Sequence, residues 1–281
     1  MKISKNKKQF LREWVEFLCE LDTSGDDADI GKIALFYDES ATQGFYMLYE
    51  PGKLYKYTAN VFWSNLSKAF EKAGGDQYEL NPQEIYRNIL LKKEVIDECV
   101  IGIMTTTTSA IKAYKQMDAV ASRKGEGAAK FLYGIAMQKE GAFIPSRDSC
   151  SKPVLQFYAK RAAEGYGHPL DKIYEDDFYN IPNMPWLDYY YEGLPTPWSF
   201  DSLIKGHQDT ISRLVYLYND VLDDLQFDAS FHINEKWLSK QVITFMHDIY
   251  FNEKYIEVLV RKGDILYFNK DRGRKFTRFK V

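Results

Sequence analysis

The sequence predicts an α+β fold with an α/β-like core: a mixed central sheet, helices packed on it and at least one parallel crossover. Three observations carry this reading. The order strand–helix–strand–helix between Glu98 and Glu164 suits a parallel crossover, since parallel neighbours need a connection long enough to hold a helix. The 281 residues, 45% hydrophobic and 27% charged, have the balance of a globular chain. The 21 Tyr and 18 Phe supply ample apolar mass for a core without disulfides.

Element by element, Gln9 to Leu21 reads as a helix with Phe10, Trp14, Phe17, Leu18 and Leu21 on one stripe. Lys32 to Tyr37 and Gly44 to Tyr49 read as strands, and Leu54 to Thr58 as a third after the turn Glu50-Pro51-Gly52-Lys53, which predicts a meander. Val61 to Lys72 and Pro82 to Lys93 are expected to be helical, separated by Gly74-Gly75. Cys99 to Met104 is an apolar β-type run extended by four threonines, and Tyr114 to Ala121 is a second strand. Arg123 to Lys139 reads as a helix, Ala142 to Pro145 as a short strand and Lys152 to Glu164 as another helix. Gly165 to Phe200, with Pro169, Pro182, Pro185, Pro195 and Pro197 and the cluster Asp188-Tyr189-Tyr190-Tyr191-Glu192, reads as a loop-rich acidic aromatic segment, either a binding loop or a linker. Helices at Phe200 to Leu225 and Asn234 to Tyr250 follow, then three short C-terminal strands over Tyr255 to Val281, a β-meander. The expected divisions are 1–165, 166–200 and 201–281.

Charge and cysteine usage exclude several classes. A net charge of −3 argues against a whole-molecule electrostatic nucleic-acid binder. Nine Lys or Arg stand against three acids between Lys254 and Val281, however, a local balance of +6. Cys19, Cys99 and Cys150 form no CxxC pair, and His168, His207, His232 and His247 are scattered, so no metal site is expected. No apolar leader follows Met1 and no run of membrane-spanning length occurs, so a soluble, cytoplasmic protein with reduced thiols is expected.

The glycines carry the chemistry. Gly125 and Gly127 sit where a strand ends and a helix begins, in Ser122-Arg123-Lys124-Gly125-Glu126-Gly127-Ala128. The first-turn N–H groups of a helix point beyond its end and the dipole adds partial positive charge there. Glycines let a phosphate approach that backbone, and Arg123 and Lys124 add two cations, so the stretch reads either as an anion site, best suited to a pyrophosphate, or purely as a turn. It is not a Walker loop, because no Lys-Ser or Lys-Thr follows the second glycine.

This strand, glycine loop, helix and short strand together resemble the coenzyme-binding motif of the GNAT acyltransferases, Arg/Gln-x-x-Gly-x-Gly/Ala after a bulged strand. Ser122 stands where Arg or Gln is usual, while Gly125 and Gly127 match the small positions. The stretch Ser146-Arg147-Asp148 leading to Ser151 and Phe157-Tyr158 extends the likeness, and is reminiscent of phage-borne GNAT-like proteins. The resemblance covers Glu98 to Glu164 and implies a GNAT-like strand–helix–strand–helix core that uses acetyl-CoA as co-substrate. It implies that the backbone from Ser122 through Arg123, Lys124, Gly125, Glu126 and Gly127 to Ala128 holds the pyrophosphate, and that the pantetheine arm enters between two parallel strands. Tyr158 matches the tyrosine that protonates the departing thiolate, a task suited to a phenol; its place beside Phe157 on an amphipathic helix also suits a residue at the edge of the core. Asp118 and Asp148 are the candidates for general base.

Competing chemistries have less behind them. Cys150 lies near a helix start, yet no histidine falls in a protease signature. The pairs Asp176-Asp177 and Asp223-Asp224 diverge on a strand or helix and read as solvated faces. Arg272, Arg274, Lys275, Arg278 and Lys280, interleaved with Phe276 and Phe279, read either as a charged edge strand or as a nucleic-acid contact. The expected activity is therefore direct acyl transfer to the amine of a small-molecule or macromolecular acceptor. The alternatives are a non-enzymatic partner-binding protein and a GNAT-like enzyme that modifies nucleic-acid bases.

Overall fold

Apolar residues on both faces of its strands make this sheet the middle layer of the molecule. The computed structural model describes residues 32–72, 99–109, 114–122, 127–145, 152–170, 185–224, 232–240 and 265–267. Eight strands form one mixed sheet: β1 (Ala34–Glu39), β2 (Gln43–Tyr49), β3 (Val100–Thr108), β4 (Lys115–Ser122), β5 (Phe143–Ile144), β6 (Gly167–Pro169), β7 (Tyr189–Tyr191) and β8 (Ile265–Tyr267). The spatial order is β1-β2-β3-β4-β5-β7-β6, with β8 added to β4 off that path. Neighbours are antiparallel except β4 and β5, which are parallel and joined through helix α2 (Ala128–Glu140). An α+β fold with a mixed central sheet and one parallel crossover is thus observed.

Alternation along β1 and β2 sends side chains to two separate cores. Ala34, Phe36, Phe45, Met47 and Tyr49 enter one, where helix α1 (Pro51–Lys72) contributes Leu54 and Phe62 and helix α4 (Phe200–Asp224) contributes Ile211, Leu214 and Tyr218. Leu35, Tyr46 and Leu48 enter the other, closed by Leu132, Tyr133, Ile135 and Ala136 of α2 and by Val154 and Tyr158 of α3 (Lys152–Ala163). With both faces covered, the strands read as near-continuous apolar runs. Helix α4 packs on β1 and sends Leu203 into the second core and Ile211 into the first, so it covers the β1 edge that would otherwise invite pairing.

Several elements differ from the sequence expectation. Leu54 to Thr58 is not a strand: Pro51 opens a 22-residue helix, not a turn. Proline at the first helical position forfeits no hydrogen bond, and the first intrahelical bond runs from the Leu54 N–H to the Glu50 carbonyl at 3.1 Å. Leu54, Thr58 and Phe62, four apart, share the buried face. Helix α2 begins at Ala128, not Arg123. The stretch expected as loop-rich supplies β6 and β7, and the aromatic triplet Tyr189–Tyr191 is itself a strand. Of the three C-terminal strands expected, only β8 lies within the described residues, and it pairs with β4. The helices expected at Gln9 to Leu21 and Pro82 to Lys93 lie outside the described residues, as does most of the one at Asn234 to Tyr250, whose residues 235–240 are helical.

A buried carboxylate pins the far end of α2 to the sheet. The Glu140 side chain is only 6% exposed; its Oε1 accepts from the Tyr46 hydroxyl and, at 2.8 Å, from Thr106 Oγ1, while Lys115 Nζ lies 3.4 Å from Oε2. Burying a charge is tolerable only with such partners. Thr106 Oγ1 in turn accepts from the Gly44 N–H at 3.2 Å, which leaves no room for a side chain at Gly44. A Cβ there would stand 2.7 Å from both Glu140 Oε1 and Thr106 Oγ1. Gly44→Ala should therefore destabilise the fold by about 1–3 kcal/mol, the usual cost of overpacking, measured as a lowered urea midpoint with unchanged slope.

Candidate functional site

The site is built on β4, which has one fully paired side and one divided side. Toward β3 it pairs along its whole length, from Thr108↔Lys115 to Gly102↔Ser122. The register shifts midway: Thr106 faces Met117 and Thr105 faces Ala119, so Asp118 is the extra residue of a β-bulge. On the other side, β5 pairs only with Lys115 and Gln116. Among the described residues the two parallel strands share no pairing past Gln116, and the ladder resumes at Val120 and Ala121, with β8.

Beyond β4 the chain enters α2 through Gly127. Its φ of 66° lies in the left-handed region, where glycine carries no Cβ penalty. Gly127, its N-cap, has no side chain to bond the first-turn N–H groups, and no acid stands in that turn. The Gly127 carbonyl accepts from the N–H groups of Lys130 and Phe131, so the helix is wound from its first residue. Gly127 is exposed, and a Cβ placed on it would meet only the Phe131 ring edge, at 3.7 Å. Ala128 is buried and seats the first turn against the core. The arrangement is a bare, accessible helix start beside a bulged strand, able to receive an anion through backbone N–H groups.

The other sequence candidates are placed as follows. Asp118 holds the bulge of β4, and Ser122 ends that strand opposite Gly102. Arg123, Lys124, Gly125, Glu126 and Asp148 lie outside the described residues. Tyr158 is on α3 and 1% exposed, its ring centroid 4.8 Å from Tyr191, 5.4 Å from Phe157 and 6.0 Å from Tyr133. The Tyr191 hydroxyl donates to the Trp186 carbonyl at 2.7 Å and lies 3.3 Å from that of Tyr158, tying β7 to α3. Tyr133 stacks on Phe157 at 4.5 Å, and its hydroxyl donates to Met117 Sδ at 2.8 Å, so the aromatic cluster reaches β4 just before the bulge. Of the tyrosine triplet, Tyr191 is in the core and Tyr189 and Tyr190 are half-buried, with Tyr190 stacked on Tyr114 at 5.3 Å.

Three features of this region carry no local signal in the sequence, although the GNAT resemblance implies a bulged strand before the glycine loop. β8 was expected to pair with its sequence neighbours, and nothing in three residues names a partner in the middle of the chain. The bulge leaves no mark in composition, because one inserted residue changes neither hydrophobicity nor propensity. The third is a polar pair on the opposite face. His207 of α4 is buried beside Phe36, and its Nδ1 lies 2.8 Å from the Tyr49 hydroxyl. Burial pushes the Tyr49 phenol up and pulls the His207 imidazole down to about 4. Among the described residues no three or more His, Cys, Asp or Glu converge as metal ligands, and no helix is long and apolar enough to cross a membrane.

Because His207 binds a proton less readily folded than unfolded, its contribution to stability is complete above its ordinary value of 6.5 and is lost as pH falls from there toward 4. Integrated down to pH 5, the loss from this group is about 2 kcal/mol. His207→Gln keeps a hydrogen-bonding group beside Tyr49 but does not titrate. Its urea-unfolding free energy should fall less than that of the unsubstituted protein between pH 7.5 and pH 5, and equal falls would refute the assignment. Comparison of the chain with family models, with curated proteins and with solved structures finds no match.

Proposed function

We propose that this chain is an acyl-CoA-dependent N-acyltransferase of GNAT-like fold, transferring an acetyl group directly to the amine of an acceptor. The observation that carries the reading is the parting of β4 from β5 beside the bulge at Asp118, immediately before an uncapped, glycine-fronted helix. That combination suits a ligand with a pyrophosphate at one end and an extended, amide-bearing arm at the other. The exposed Gly127 and the clear space around a Cβ built there fit the phosphate end. The divided side of β4 fits the arm.

In this reading acetyl-CoA supplies the activated thioester. Backbone N–H groups at Gly127 and Ala128, with Arg123 and Lys124, hold the pyrophosphate and so fix the depth of the thioester. A backbone N–H of β4 steadies the carbonyl oxygen as it gains charge under attack by the amine. Asp118 or Asp148 takes the amine proton, and Tyr158 gives a proton to the departing sulfur. The acceptor meets the acidic, tyrosine-rich region that includes Asp188 and Glu192, which favours a cationic or aromatic amine. A second reading, a non-enzymatic partner-binding protein, has one observation in its favour: β8 already sits on β4.

Calorimetric titration of acetyl-CoA tests the proposal. The unsubstituted protein should bind in the micromolar range. Gly127→Asp, which places a side chain and a negative charge where the phosphates would lie, should weaken binding by about tenfold or more while the far-ultraviolet spectrum stays the same. No acetyl-CoA binding by the folded protein, either unsubstituted or with the pairing of β8 to β4 broken, would sink the acyltransferase reading.

A further inference from the structure

β8 lies on the same stretch of β4 that the proposed acyl-CoA arm requires. Its pairing is antiparallel, with Val120 opposite Tyr267 and Ala121 opposite Ile265, and it also packs against α3, the helix that carries Tyr158. A strand edge offers one row of N–H and C=O groups, and an extended amide ligand uses the same row as a peptide strand. The two occupants exclude each other. β8 is well suited to leave: it is three residues long, and its short ladder is interrupted by a register shift between Val120 and Ala121. The β3 side of β4, by contrast, pairs from Lys115 to Ser122 on either side of the bulge at Asp118.

We infer that β8 is a built-in competitive plug, which must withdraw from Val120 and Ala121 before acyl-CoA binds. The inference rests on the acyltransferase reading and adds regulation to that site. The apparent affinity for acyl-CoA then equals the intrinsic affinity scaled by the fraction of molecules with β8 withdrawn. Anything that holds β8 out, such as a partner that captures the C-terminal segment, activates the protein; anything that holds it in silences it.

Two full-length variants test this in opposite directions. Ile265→Pro/Tyr267→Pro removes two N–H groups from β8 and should tighten acetyl-CoA binding by roughly threefold or more, as far as the plugged fraction allows. Ala121→Cys/Ile265→Cys, in a background with Cys19→Ser and Cys150→Ser, joins residues that face each other across the ladder. Once oxidised, with the linked peptides verified by mass spectrometry, it should lose binding by about tenfold or more, and reductant should restore it. Equal affinity in the oxidised and reduced cross-link variant would overturn the plug while leaving the acyltransferase reading intact. Absence of acetyl-CoA binding in the reduced cross-link variant and in the folded proline variant alike would overturn both.

Discussion

A strand has two sides, and the molecule depends on how β4 spends its second one. Had β5 continued alongside it, the sheet would close and the helix start beyond would front a sealed ladder. Among the described residues β5 keeps two residues of contact. The bulge at Asp118 shifts the register just past that contact, and the chain then enters α2 through a left-handed glycine. The opening, the approach to the helix terminus and the landing place for β8 all follow from this one division.

The ends of α2 are treated in opposite ways. Its C-terminal residue, Glu140, is locked by hydroxyls from β2 and β3 and by Lys115 of β4. Its N-terminus, roughly 20 Å away at 1.5 Å per residue, is fronted by Gly127, which has no side chain to cap it. Rigidity at one end allows the other to remain open without the helix drifting, since a buried polar network with several partners admits one arrangement. The segment before α4 braces the middle. The Gln138 amide donates to the Trp198 carbonyl and accepts from the Phe200 N–H, and Gly134 lets Thr196 approach so closely that a Cβ would stand 3.0 Å from it. On the opposite face, Asn219 of α4 performs a similar clamp, bonding both the N–H and the carbonyl of Ile233.

What the sequence disclosed and withheld divides along a physical line. β1 to β4 and helices α3 and α4 are legible because their signals are local: apolar runs, β-branched threonines and helical apolar spacing. The crossover β4–α2–β5 is legible because its length permits little else. Pro51 misled because Pro-Gly serves a turn and a helix start equally well, and only the partner surface decides. β6 and β7 were hidden because strands of three residues, pairing across more than twenty residues of sequence, hold too little pattern to register. Within the site, Gly127 and Tyr158 could be singled out as residue types in a motif. The bulge at Asp118 and the Tyr49–His207 pair could not, since each exists only once distant segments meet.

The sheet's order also has a consequence for how the chain is made. β1 to β4 are antiparallel neighbours in the order in which they are synthesised, and they can assemble as each emerges. Their two exposed borders close only later. The β1 border waits for α4, more than 160 residues downstream, and the end of the β4 border beyond β5, at Val120 and Ala121, for β8, the last described element. Until the ribosome has delivered both, the nascent sheet carries an uncovered strand at each side, the condition in which chains join one another instead of themselves. Much of the burden of keeping newly made molecules apart therefore falls on the last third of the chain.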